Sequence, residues 1–301
     1  VSITVEPHRQ LQMEQLHQLV NCHLDGVVPG WRVPSGVIAD SLEPAPASRA
    51  LDPWVAERRT LCALDGDSLL GAAHVLRYGA GPEVDAAFRG AAELAWLLFW
   101  PKTEAAADAL VGAVRALAAD WRASRVHACG TSLPVPVVSG VPESWPHVAV
   151  ALRRAGFQPQ PTVEEVLYGG RLPDVTPAQP PLRGLEMRVA AEAPGSRFRA
   201  ELDGVEIGFV EWSPNLSFGG MLPALAGWAE LRALVVHDGW RGLGVGTWLV
   251  GRTVPLLRLV GVSRVVVALT ARDEAEGAGS LCRRLGWEPV VRVEQGWSAP
   301  A

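Results

Sequence analysis

Six residues late in the chain, Arg241-Gly242-Leu243-Gly244-Val245-Gly246, stand between an apolar run and a stretch with helical spacing. Glycines at such a junction let successive backbone N–H groups converge without interference from Cβ atoms. The first turn of the following helix adds N–H donors that have no helical partner, and the positive end of its dipole. Together these make a cradle for phosphate. The bland alternative is a plain glycine-rich turn, since a lone glycine motif is weak. Two phosphate-binding motifs do not fit. The Walker loop needs Gly-Lys-Ser/Thr, and Lys102 is the only lysine in the chain. The dinucleotide fingerprint GxGxxG differs in spacing from Gly242–Thr247, and no acidic residue follows about twenty positions on at the end of a strand.

The elements that must hold this turn follow from period and punctuation. Residues 196–202 (SRFRAEL) alternate, Asp203-Gly204 is a hairpin turn, and 205–212 (VEIGFVEW) run back. A loop over Ser213–Gly227 leads to a strand at 228–237 and then to the glycine turn. A helix is expected over about 246–260, kinked at Pro255 because proline removes a backbone donor and crowds the preceding turn. A buried strand (263–270), a helix through SLCRRLG (280–286) and a strand (288–295) complete the half.

The same plan is written twice. Leu110–Gly130 aligns without gaps to Leu249–Leu269, with seven of 21 positions identical. Leu64-Asp65-Gly66, Ala92-Glu93-Leu94 and ALRRAGF (151–157) answer Leu202-Asp203-Gly204, Ala229-Glu230-Leu231 and LCRRLGW (281–287) in the same order. Matches in one order point to duplication. Between the halves, residues 170–184 carry four prolines, as an extended linker would. The expected organisation is therefore a domain over 1–170, a linker over 171–184 and a domain over 185–301. Both are of α/β (α+β) class, each a mixed sheet flanked by helices.

The run VVHDGWRGLGVG (235–246) followed by a helix resembles the central motif of the GNAT superfamily of N-acetyltransferases, and LCRRLGW resembles that superfamily's closing helix. The resemblance covers the chain from about 184 onward and reaches the N-terminal half only through the repeat. It implies acetyl-CoA as cosubstrate, a primary amine of a small molecule or peptide as acceptor, and no metal. It implies that the backbone at Leu234, Val235 and Val236 pairs with the pantetheine arm. Amides of Arg241, Gly242, Leu243, Gly244, Val245, Gly246 and Thr247 would hold the pyrophosphate.

Glu230, eleven residues before Arg241, matches the strand carboxylate that some members use as general base. An ammonium must lose a proton before it attacks a thioester, and desolvation would make the carboxylate a better base. Glu93 holds the matching place in the other half, so a structural role competes; Glu211, His237 and Asp238 are the runners-up. The family's usual tyrosine acid is replaced by Cys282, a thiol that could donate or simply fill space. The asparagine common seven residues earlier is Ala275. The only tyrosines, Tyr78 and Tyr168, fall in the first half of the plan.

Where the N-terminal half should have its cradle, no glycine stands between Leu94 and Val111, and Pro101 lacks an N–H. That half is expected to bind no CoA and to act structurally. Trp96, Trp100, Trp212 and Trp228 are expected in the cores, with an acceptor pocket as the alternative; the loop 213–227 is expected beside the acceptor.

Composition sets the outer bounds. The net charge of −5 and the lack of a basic run argue against nucleic acid and anionic membranes as partners. No apolar run reaches a membrane span and no basic, then apolar leader is visible, so a cytoplasmic protein is expected. Cys22, Cys62, Cys129 and Cys282 are scattered, as reduced thiols would be. A monomer or homodimer is expected. A CoA-binding protein whose chemistry has decayed is the competing reading.

Overall fold

The computed structural model describes residues 2–43, 52–130, 133–135, 138–160, 164–174, 179–192 and 195–300. In chain order these form β1 (Ile3–Pro7), α1 (Met13–Asp25), α2 (Ser35–Leu42), β2 (Val55–Asp65), β3 (Ser68–Tyr78), β4 (Ala92–Phe99), α3 (Glu104–Asp120), β5 (Arg125–Ala128), β6 (Val141–Pro142) and α4 (Pro146–Arg154). The chain continues with β7 (Glu164–Arg171), β8 (Leu185–Glu192), β9 (Gly195–Leu202), β10 (Val205–Ser213), β11 (Trp228–Val236), α5 (Val245–Leu259), β12 (Arg264–Thr270) and α6 (Ala271–Asp273). A π-helical turn (Glu274–Ala278), α7 (Gly279–Arg284), β13 (Glu288–Glu294) and β14 (Trp297–Pro300) complete it.

Two compact units result: Val1–Glu165 with Val291–Ala301, and Val166–Val290. In the first, the strand order is β1-β2-β3-β4-β5-β14. In the second, β13-β7-β12-β11-β10-β9-β8 lie side by side. The division falls after Glu165 and not within 171–184, and the last eleven residues leave the second unit for the first.

The reason lies in the closing strands. β14 pairs antiparallel with β5, from Trp297↔Ala128 to Pro300↔Arg125, and its Ser298 bridges Gln158 on the other side. β7 lies between β12 and β13. Each half of the sequence thus sends its last strand into the sheet built by the other half.

The repeat is visible in the pairing register. Ala92↔Val126 and Glu93↔His127 in unit 1 correspond to Ala229↔Val265 and Glu230↔Val266 in unit 2. Both parallel pairs sit beside a bulge, at His74/Val75 in one and Glu211/Trp212 in the other. Asp203 and Gly204 both take positive φ (52° and 80°), as a tight hairpin turn between twisted strands requires.

The core of unit 2 lies on one face of its sheet, where Trp212, Leu231 and Trp287 pack with Trp248, Leu249 and Val254 of α5 and Cys282 of α7. α5 continues through Pro255 as a single helix over Val245–Leu259. Thr253 just before that proline bonds back to Val250 O (2.9 Å) and accepts the Trp212 indole N–H (3.1 Å). Trp96, Trp212 and Trp228 are buried, as expected, while Trp100 is half-buried.

Candidate active site

The parallel pairing of β11 with β12 stops at Glu230↔Val266. Beyond that point β11 runs on to Val236 and β12 to Thr270 without meeting. The cause is local: Trp212 faces Leu231 and Glu211 faces Ala233, so Arg232 is an extra residue on β11. A bulge adds twist and bends its strand, here where the ladder opens. The result is a cleft of about 850 Å³ within unit 2. Residues 231–236 form one wall, Val267, Ala268 and Leu269 the other, and residues from Asp273 to Trp287 extend it. Residues 231–236 have no β12 partner along this inner edge, which suits pairing with an extended, amide-bearing ligand as an added strand would.

At the wide end the glycine turn closes the cleft. Gly242 and Gly244 have φ of 77° and 85°, where a side chain would be strained. The first bond of α5 runs from Trp248 N–H to Gly244 O (3.0 Å), so the amides of Val245, Gly246 and Thr247 have no helical acceptor. Gly246 faces the cleft floor, where an added Cβ would stand 3.6–3.9 Å from Val236, Leu234 and Leu281. Arg241 is bonded within the turn. Its Nε donates to Val236 O (3.0 Å) and its guanidinium pairs with Asp238 (3.4 Å), which ties the turn to the end of β11.

Leu234, Val235, Val236, Arg241, Gly242, Gly244, Val245, Gly246 and Thr247 all line the cleft. Leu243 does not: its side chain is turned to solvent and 46% exposed. Cys282 lines the cleft wall and is buried, and burial pushes its thiol up to about 11. Glu230 is the last paired residue of β11, at the vertex and not among the cleft-lining residues. Burial raises its carboxyl above the ordinary range; Arg232 opposes that shift and Glu211 adds to it. Glu211 stands 3.5 Å from Arg232, and His237 lies 3.9 Å from Glu206. No residue of the loop 213–227 lines this cleft.

Sequence reasoning missed the far wall. Asp273, Glu276, Ser280 and Arg284 line the cleft, as do Trp240 and Trp287. The available signal was Gly277, whose φ of 115° marks the π-helical turn around Ala275. It also misplaced Tyr168. That residue rides on β7 into unit 2, where its hydroxyl donates to Glu274 (2.7 Å) and accepts from Arg283 (2.9 Å).

The matching place in unit 1 is filled. Glu93 is fully buried and accepts the Tyr78 hydroxyl. The cavity between Trp96, Cys129 and Trp145 holds only about 10 Å³, and Trp100-Pro101-Lys102-Thr103 lead from β4 into α3 without a glycine. Among the described residues no group of three or more His, Cys, Asp or Glu could hold a metal ion, and no helix is long and apolar enough to cross a membrane, which says nothing of a β-barrel. The four cysteines are free thiols.

Residues 168–287, which hold the cleft, match the acetyltransferase (GNAT) family model. No curated protein sequence matches the chain. Among solved structures, a tandem GNAT protein from the clavulanic acid biosynthesis pathway is similar at 17% identity and a TM-score of 0.63, over 99% of this chain and 98% of that one. A GCN5-related N-acetyltransferase from Sphaerobacter thermophilus is similar at 12% identity and TM-score 0.63, over 99% and 95%. A glucosamine N-acetyltransferase region in a fungal multi-domain GH3 β-N-acetylglucosaminidase is similar at 14% identity and TM-score 0.61; this chain spans only 38% of that protein. The splayed strand pair, the family match around it and a topology shared end to end lead to one conclusion: residues 168–287 form a domain that matches the GNAT acetyltransferase family, and the chain has the fold of tandem GNAT proteins.

Proposed function

We propose that the cleft of unit 2 binds acetyl-CoA and that the protein transfers the acetyl group to a primary amine of a small molecule or peptide. The observation that carries this reading is the cleft itself, open between β11 and β12 and ended by three helix-terminal amides that lack a partner. Those amides fit a diphosphate, and the unpaired edge of β11 fits the two amides of a pantetheine arm. The acceptor would approach the narrow end, where β11 and β12 part.

There Glu230 is the proposed general base. Its raised pKa suits removal of a proton from an ammonium, through water if need be, since it sits just behind the lining. The free amine then bonds to the acyl carbon, the C–S bond breaks, and the sulfur leaves as thiolate. Cys282 lines the cleft, but burial pushes its thiol up to about 11, above an ordinary thiol, so giving up its proton to a departing thiolate is uphill. Cys282 serves the wall as a protonated apolar filler, and water relays the second proton lost by the amine nitrogen to the thiolate. Unit 1, with its place filled, is proposed to be structural.

The test is release of free thiol from acetyl-CoA over a panel of amines, with Glu230→Gln alongside. Expected is turnover with at least one amine, reduced about a hundredfold or more in the variant while CoA still binds. The poor acidity of Cys282 also favours a second reading, a CoA-binding protein without turnover, and binding with no thiol release on any amine would establish it.

A further inference from the structure

The wall opposite β11 is the least regular part of the cleft. It is built from the π-helical turn Glu274–Ala278, with Gly277 at a φ of 115°, and from α7, six residues long. So short a helix does not hold itself in water. Yet Glu276, Ala278, Ser280, Leu281 and Cys282 of this segment all line the cleft. Something must fix it to the sheet.

Tyr168 on β7 is fully buried against it. Its hydroxyl donates to Glu274 at the start of the segment (2.7 Å) and accepts from Arg283 near its end (2.9 Å). That uses the single donor of a phenol and one of its acceptor sites on charged partners, the stronger class of hydrogen bond. The seat is close: a Cβ on Gly279 would come 3.0 Å from the Tyr168 oxygen and 2.8 Å from Cγ of Glu274. Burial and Glu274 both raise the phenol's pKa, so it keeps the proton it donates.

We infer that Tyr168 is a positioning residue for the acetyl-CoA cleft, tying both ends of segment 274–283 through Glu274 and Arg283. The inference rests on the cofactor reading above. It makes the cleft depend on a residue encoded before the linker, in the first repeat, and gives the Glu274–Tyr168–Arg283 set a task outside the chemistry.

The test is Tyr168→Phe in the full chain, with calorimetric titration of CoA and amide hydrogen exchange. Phenylalanine keeps the packing and removes only the hydroxyl. Expected is a dissociation constant for CoA raised about tenfold, together with faster exchange confined to residues 274–284. An unchanged affinity with unchanged exchange would overturn the inference, as would an equal loss of protection throughout unit 2, the mark of a packing role alone. Glu274→Gln, which needs no buried change, should give the same local signature if Tyr168→Phe fails to fold. The two variants combined should do no more than the larger of them, and additive effects would count against a shared tie. Should the unaltered protein bind no CoA at all, the cofactor reading fails by itself, and the exchange comparison still decides whether Tyr168 holds the segment.

Discussion

Glu230 and Glu93 show how one inherited residue takes two environments. Both sit at matching positions of a parallel strand pair, but Glu230↔Val266 ends its ladder while Glu93↔His127 is followed by Leu94↔Ala128. Glu93 is sealed and held by Tyr78, while Glu230 is half-buried beside an open cleft. If Glu230 is the base, kcat/KM should rise with pH, with an inflection above the ordinary carboxylate range because burial dominates its shift. Stopped assays across pH on the free enzyme check this, and Glu230→Gln should abolish that inflection. The glycine turn gives a second expectation. Gly242 has nothing within 4 Å of an added Cβ, so Gly242→Ala meets no clash and is penalised only by its φ of 77°. Forcing a side chain into that region costs about 1–2 kcal/mol, which should appear as weaker CoA binding in a titration.

At the scale of elements, β14 is the piece with the clearest single duty. Trp297 is 1% exposed, and the strand covers the outer edge of β5. Deleting residues 296–301 should destabilise unit 1 by about 3–5 kcal/mol for the lost tryptophan alone, with hydrogen exchange accelerating in β5 and β4. The glycine turn was legible because positive φ at 242 and 244 is a local demand that only glycine meets cheaply. The repeat also put β4 and β11 in register, since Ala92 and Ala229 do meet Val126 and Val265. What stayed hidden was the destination of the closing strands. The run EEVLYGG (164–170) reads as a strand whichever sheet receives it, so its sequence does not show that Tyr168 joins unit 2 or that the division falls after Glu165. The bulge at Arg232 was hidden too, because no residue type announces an extra position on a strand.

For the whole molecule the expectations concern acid and truncation. His74 and His23 are buried in unit 1, and burial pushes them down to about 3 and about 4. Their folded pKa values lie below the unfolded value, so the unfolded chain binds protons first. Stability is whole above about pH 6.5 and drains as pH falls toward the folded values. At pH 5 each histidine should have cost about 2 kcal/mol, from 1.5 pH units at about 1.4 kcal/mol each. Urea unfolding at about pH 7.5 and pH 5 measures the drop, and His74→Gln should remove roughly half of it. A fragment of residues 185–301 should fail to fold as a unit, since it lacks the strand between β12 and β13; circular dichroism and exchange on the fragment would show this. The crossed closing strands also bear on how the protein is made. As the chain leaves the ribosome, β5 is complete at residue 128, but its partner begins at residue 297. The first sheet must therefore wait with a bare rim until residue 297 has been made, and a nascent chain stalled in between is the form most exposed to pairing with a stranger.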